Sequence, residues 1–145
     1  MPEIDIELAD RNTLRVGIDD GDSVWLSSPG EFVRIRGVDL RRVARRATSA
    51  RAQHPNVDVL VDINVIVADD AQRALAQAEN VPASDTLLYA GTPGGLAGLI
   101  ADLHALAITD GAVLIPVVDR THPSQLRERL LAELQSLVPA TNLHA

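Results

Sequence analysis

The residues of this chain best suited to chemistry stand in a turn of small residues, Gly91-Thr92-Pro93-Gly94-Gly95. Thr92 is placed to cap a helix. Pro93 fits the first helical position, because its missing N–H would be unpaired there anyway. The start of such a helix turns free backbone N–H groups and a positive dipole end toward an anion. Gly94 and Gly95 would let a phosphate come close. The turn lacks the Lys and Ser/Thr of a nucleotide P-loop and does not fit the dinucleotide fingerprint. Gly91, Thr92, Gly94 and Gly95 are thus candidate cofactor-binding residues. The plainer reading is a well-capped helix packed on its neighbour through Gly98.

Asp62 and Asn64 form the second candidate site. They interrupt the apolar run Val57 to Val67 and share one face under strict alternation. A buried carboxylate is costly unless it is paired or reaches a wet end of the sheet. At a sheet mouth it could orient a substrate or act as a general base. The plainer reading is an arginine or backbone partner. The four histidines, His54, His104, His122 and His144, show no metal-ligand spacing, and no serine stands in a Gly-x-Ser-x-Gly context. Neither a metal site nor a nucleophile is expected.

The elements that must position these residues follow from the apolar pattern. Ile4, Ile6 and Leu8 alternate with acids, and alternation continues at Leu14, Val16 and Ile18, at Val24 and Leu26, and at Val33 and Ile35. Short half-buried strands are expected there, separated by turns at Asp10-Arg11-Asn12, Asp19 to Asp22 and Ser28 to Glu31. At least one should join the main sheet, with Phe32 to Arg36 as an arm or edge strand. Asp39 caps a helix from Leu40 to about Gln53, and His54-Pro55-Asn56 stops it. Val57 to Val67 is the strongest strand. Asp69 and Asp70 begin a short helix, since acids suit a helix N-terminus. Residues 81–86 read as a loop. After Pro93, Leu96, Leu99, Ile100 and Leu103 mark a helix to about Ala107, Asp110-Gly111 a turn, and Ala112 to Val118 a buried strand. Pro123 starts a last helix with Leu126, Leu130, Leu134 and Leu137 on one face, and Pro139 ends it.

The stretch Gly91-Thr92-Pro93, then Asp110-Gly111, then Val113-Leu114-Ile115-Pro116, resembles the C-terminal end of luciferase-like monooxygenases, with residues 57 to 76 as the preceding strand and helix. That resemblance covers about the last two thirds of the chain. It implies part of a (β/α)₈ barrel, FMN or a deazaflavin coenzyme as cofactor, and oxidoreductase chemistry. No catalytic residue carries over position by position, because many of the family's contacts lie in the first half of the barrel. The glycine turn lies near, but not at, the usual phosphate site of such barrels, which involves the loops after the seventh and eighth strands. The expected fold class is α/β, a partial barrel-like and mainly parallel sheet with an N-terminal antiparallel β region. Residues 1–38 form β-rich arm or edge strands, residues 39–138 the β/α units, and residues 139–145 a frayed tail, all in one domain.

Length and composition set the outer limits. A chain of 145 residues suits one domain with a real core, but falls short of the ~250 residues of a complete eight-stranded barrel. An apolar fraction of 46% argues against disorder. The net charge of −7 disfavours general binding to nucleic acid or anionic membrane. The arginine-rich helix (Arg41, Arg42, Arg45, Arg46, Arg51) therefore reads as a solvated face, with an acidic partner or second subunit as the alternative. Cysteine is absent, which excludes disulfides and thiolate chemistry. The acidic start is unlike a signal peptide, and no apolar run approaches a membrane span, so a cytoplasmic protein is expected.

Three readings of function remain open. One is a luciferase-like oxidoreductase acting on a small molecule through FMN or a deazaflavin coenzyme. Another is a non-catalytic binding or oligomerisation domain, a remnant or one half of a barrel. The third is an unrelated α+β binding domain. A partial barrel exposes strand edges, so a homodimer or a partner chain completing the barrel is expected.

Overall fold

The computed structural model describes residues 13–117 and 123–137. The strand expected at Ile4 to Leu8, the end of the strand at Val118 and the tail after Pro139 lie outside them. In chain order the elements are β1 (Arg15–Asp19), β2 (Val24–Leu26), β3 (Phe32–Ile35), α1 (Leu40–Gln53), β4 (Asp58–Val67), α2 (Ala71–Ala78), β5 (Leu87–Gly91), α3 (Pro93–Ala105), β6 (Gly111–Pro116) and α4 (Pro123–Leu137).

Three of the helices begin where short polar side chains satisfy their first N–H groups. Asp39 accepts from the Arg42 N–H, Asp70 from the Gln72 N–H, and Thr92 from the Gly95 N–H. The expected helix to Ala107 stops two residues earlier. There Ala107 takes a left-handed conformation, φ 58°, and its carbonyl accepts from Arg51 at 2.8 Å.

The sheet runs β2-β1-β6-β4-β3, and β5 pairs with β4 as well. Among the described strands only β1 and β2 are antiparallel, and every other pair is parallel. The N-terminal strands are therefore not a meander of their own: β1 lies beside β6, and β3 is an edge strand beside β4. The last described strand, β6, thus lies between β1 and β4. β4 is the axis. Its first half pairs with β3, its second half with β5, and its other flank with β6. β5 is absent from the sequence reading because five residues ending in glycine carry too little periodicity to show.

One face of the sheet is covered by helices. Leu14, Val16 and Ile18, Val61, Ile63 and Val65, and Ala112 and Leu114 meet Leu96, Ile100 and Leu103 of α3 and Leu126, Leu130 and Leu134 of α4. Each Val, Leu or Ile among them, fully buried, contributes about 1.5–3 kcal/mol. Core formation therefore rests on aliphatic residues, as a chain with one Phe, one Tyr and one Trp requires.

The other face is the inside of a curl. The sheet is a half-barrel, and its two ends, β2 and β3, are joined by residues 27–31 alone. Asp110 fastens the amino ends of the strands: its carboxylate accepts from the Val59 N–H at 2.8 Å and its carbonyl from the Arg15 N–H at 3.1 Å. Gly111 follows because a Cβ there would run into the Arg15 carbonyl.

Candidate functional site

The inner face of the curl is filled rather than hollow. Parallel register places Arg15, Gly111, Leu60 and Arg34 side by side in one row, with Gly17, Val113 and Asp62 in the next. Leu60 and Val113 are wholly buried. Arg15, only 4% exposed, donates to the carbonyls of Ser28, Gly30 and Glu31 and to the Asp58 carboxylate at 3.0–3.1 Å, and lies over the Phe32 ring. It ties the loop between β2 and β3 to the amino end of the sheet.

From the same row, Arg34 reaches toward the carboxyl end and bridges two acids. Its Nε donates to Asp62 at 2.7 Å and its NH1 meets Asp19 at 3.0 Å. Three strand spacings of ~4.8 Å separate β1 from β3 in a flat sheet. A single arginine pairing with both strands records how far the sheet has rolled. Asp62 is 4% exposed, and Arg34 is the partner its burial demands. Burial lowers the Arg34 pKa, and the bonds to Asp62 and Asp19 outweigh that and raise it. Asn64 sits one row further out, its side chain donating to the Ser84 hydroxyl at 3.4 Å.

The glycine turn lies at the carboxyl end of β5, with Gly91 in register with Val67 of β4. Asn64 and Asp62 are on the opposite face of β4, so the structure does not bring the two candidate groups into one site. Tyr89 accounts for the turn's small residues. Its hydroxyl donates to the Thr92 carbonyl at 2.7 Å, and a Cβ at Gly91 or Gly95 would collide with that hydroxyl. A Cβ at Gly94 would come within 3.4 Å of the Glu133 carboxylate. The helix start thus has a phenol and an acid beside it.

A cleft of about 270 Å³ opens beyond the carboxyl ends of β4 and β6, where ligands bind in parallel α/β proteins. Its polar lining comes from two helices: Arg73 and Gln77 of α2, and Gln125 and Arg129 of α4, with Asp69 at the end of β4. Arg129 pairs with Asp69. Arg73 has no ion pair among the described residues. None of the six residues singled out by sequence is among the described lining residues. Sequence reading missed Arg73 and Arg129 because an arginine on an amphipathic helix reads as a solvated face. The signal was positional: each lies in the opening turns of a helix that follows a parallel strand. Arg15 and Arg34 were missed because a charged residue in an alternating strand reads as its solvated face, although Asp62 in an apolar strand called for a cation.

The arginine helix α1 is partly tied down. Arg46 donates to the Arg36 carbonyl at 2.6 Å and Arg51 to Ala107, while Arg41, Arg42 and Arg45 face solvent. Among the described residues, no group of three or more His, Asp or Glu is arranged to hold a metal, and no helix is long and apolar enough to cross a membrane.

A solved structure of comparable shape is that of a long-chain alkane monooxygenase, LadA, a luciferase-like monooxygenase. The TM-score is 0.52 at 15% identity, over 77% of this chain and 37% of that one. The likeness is one of fold. No protein-family model matches the chain, and no curated protein matches it in sequence. The chain spans well under half the length of this structural neighbour.

A flavin can be tested against this half-barrel. Inside the curl the described side chains Leu60, Val113 and Asp62 are packed and buried, so they do not line an open cavity. The cleft suits the phosphate end: two guanidinium groups and two amides are the donors a phosphate takes. It lies below the usual 300–1,000 Å³ of a complete ligand pocket, and none of the described aromatic side chains, Trp25, Phe32 and Tyr89, lines it.

Proposed function

We propose that this chain is a luciferase-like oxidoreductase, or a truncated relative of one, that holds the phosphate end of FMN or a deazaflavin coenzyme in the cleft between α2 and α4. The observation carrying this reading is the convergence of Arg73 and Arg129, from two different helices, at the carboxyl end of the central strand. A bound flavin-type cofactor supplies the redox chemistry; the chain's own residues anchor and orient it. The ring then rests against a surface from a second chain, either another copy or a companion that completes the barrel. The glycine turn at Gly91 to Gly95 stands at the same end of the sheet and flanks the cofactor.

Equilibrium titration of the full chain with FMN and with the deazaflavin coenzyme, read by fluorescence, tests this. Saturable binding weakened about tenfold by Arg73→Gln is expected, the loss of one charged hydrogen bond. Absence of binding by both cofactors to the folded chain would refute it. A second reading, a non-catalytic binding or oligomerisation domain, is favoured by the filled interior of the curl, and that result would leave it standing.

A further inference from the structure

The Arg129–Asp69 ion pair puts an acid into a cleft whose other polar side chains are two arginines and two glutamines. Asp69 follows β4 and precedes the cap Asp70. It is not needed to start α2, because Asp70 already accepts from the Gln72 N–H at 2.8 Å. Its carboxylate instead reaches across the cleft to α4, sixty residues on in sequence. Both side chains are substantially exposed, Asp69 by 79% and Arg129 by 49%. An exposed pair of this kind is weak and exchanges readily with solvent ions. Arg73 and Arg129 are the cations of the cleft, and Asp69 is its described acid.

We infer that Asp69 is an internal competing anion, which occupies Arg129 in the empty cleft and must release it when a phosphate group binds. This rests on the reading of the cleft as a phosphate site and adds its regulation. Three consequences follow. Affinity is set below what two free arginines would give. Ligand entry breaks the Arg129–Asp69 ion pair, which joins the β4–α2 connection to α4. Removing an acid from the lining therefore tightens binding, whereas removing a residue that merely positioned Arg129 would loosen it.

The test uses the full chain and inorganic phosphate, titrated by ¹H–¹⁵N NMR at constant ionic strength. Asp69→Asn is expected to tighten phosphate binding about two- to fivefold, the worth of an exposed ion pair. Arg129→Gln is expected to weaken it about tenfold. In the Arg129→Gln background, the gain from Asp69→Asn should largely vanish. An unchanged or weaker affinity in Asp69→Asn, while the parent binds phosphate, overturns the inference alone. So does a gain that persists in full without Arg129, which would make Asp69 a general repelling charge. If phosphate binds neither the parent nor Asp69→Asn, the inference and the phosphate reading of the cleft both fall.

Discussion

Replacing Arg34 with methionine tests the closure of the half-barrel. Methionine keeps much of the aliphatic length and removes the charge that joins β3 to both β4 and β1. The Asp62 side chain, 6% exposed, then loses its 2.7 Å donor, and Asp19, 23% exposed, loses its 3.0 Å partner. Orphaning one member of a buried ion pair costs ~3–5 kcal/mol. Arg34 itself is 31% exposed, so water solvates part of the network, and the cost should fall to ~2–3 kcal/mol. Against a typical stability of ~5–15 kcal/mol, that is a large fraction. For a chain of this length it lowers Tm by roughly 6–10 °C.

Urea unfolding followed by Trp25 fluorescence reads the loss directly, because Trp25 is the chain's one tryptophan and packs on the main core. The second arm is Arg34→Met with Asp62→Leu. Exchanging a buried pair for apolar residues is often neutral, so the double variant should recover most of the stability. A single variant within ~0.5 kcal/mol of the parent would refute the reasoning, since that is the scale of ordinary surface changes. A double variant no better than the single would refute it as well.

The turn and its tyrosine yield two further expectations. Gly91→Ala should cost ~1–3 kcal/mol, because its Cβ would strike the Tyr89 hydroxyl, and the cost should shrink in a Tyr89→Leu background; thermal melts of the four proteins decide it. Burial raises the Tyr89 pKa above its ordinary 10.0, against the lowering effect of its bonds to Thr92. The folded state therefore favours the neutral phenol. Its stability contribution is full below pH 10.0 and is lost as pH rises through the folded pKa. Stability should thus fall above pH 10 in the parent and less so in Tyr89→Phe. Tyrosinate absorbance reports the titration without ambiguity, since the chain has one tyrosine.

How much of this was legible in the sequence depends on the range of the interaction concerned. The caps at Asp39, Asp70 and Thr92 are local: a short polar side chain meets an N–H two or three residues on, and that contact is written in adjacent letters. Strand β4 announced itself because ten residues covered on both sides must be nearly all apolar. Even the need of Asp62 for a cation was readable, as burial of a lone carboxylate is too costly to stand. The site was less legible. Glycines at the start of α3 suggest an approaching phosphate, yet the group that approaches Gly91 and Gly95 is Tyr89, two residues before the first of them.

By itself, then, the sequence determined the α/β class, the helix starts, the aliphatic core and the position of the central strand. These depend on period, capping and composition, which act over a turn or a strand. Only the tertiary structure decided that β1 lies beside β6, that Arg34 answers Asp62 across 28 residues, and that Arg73 and Arg129 share a cleft. A solvated arginine and a buried or converging one have the same local pattern. What separates them is the curl of the sheet, which fixes the faces and brings together residues that chain order keeps apart.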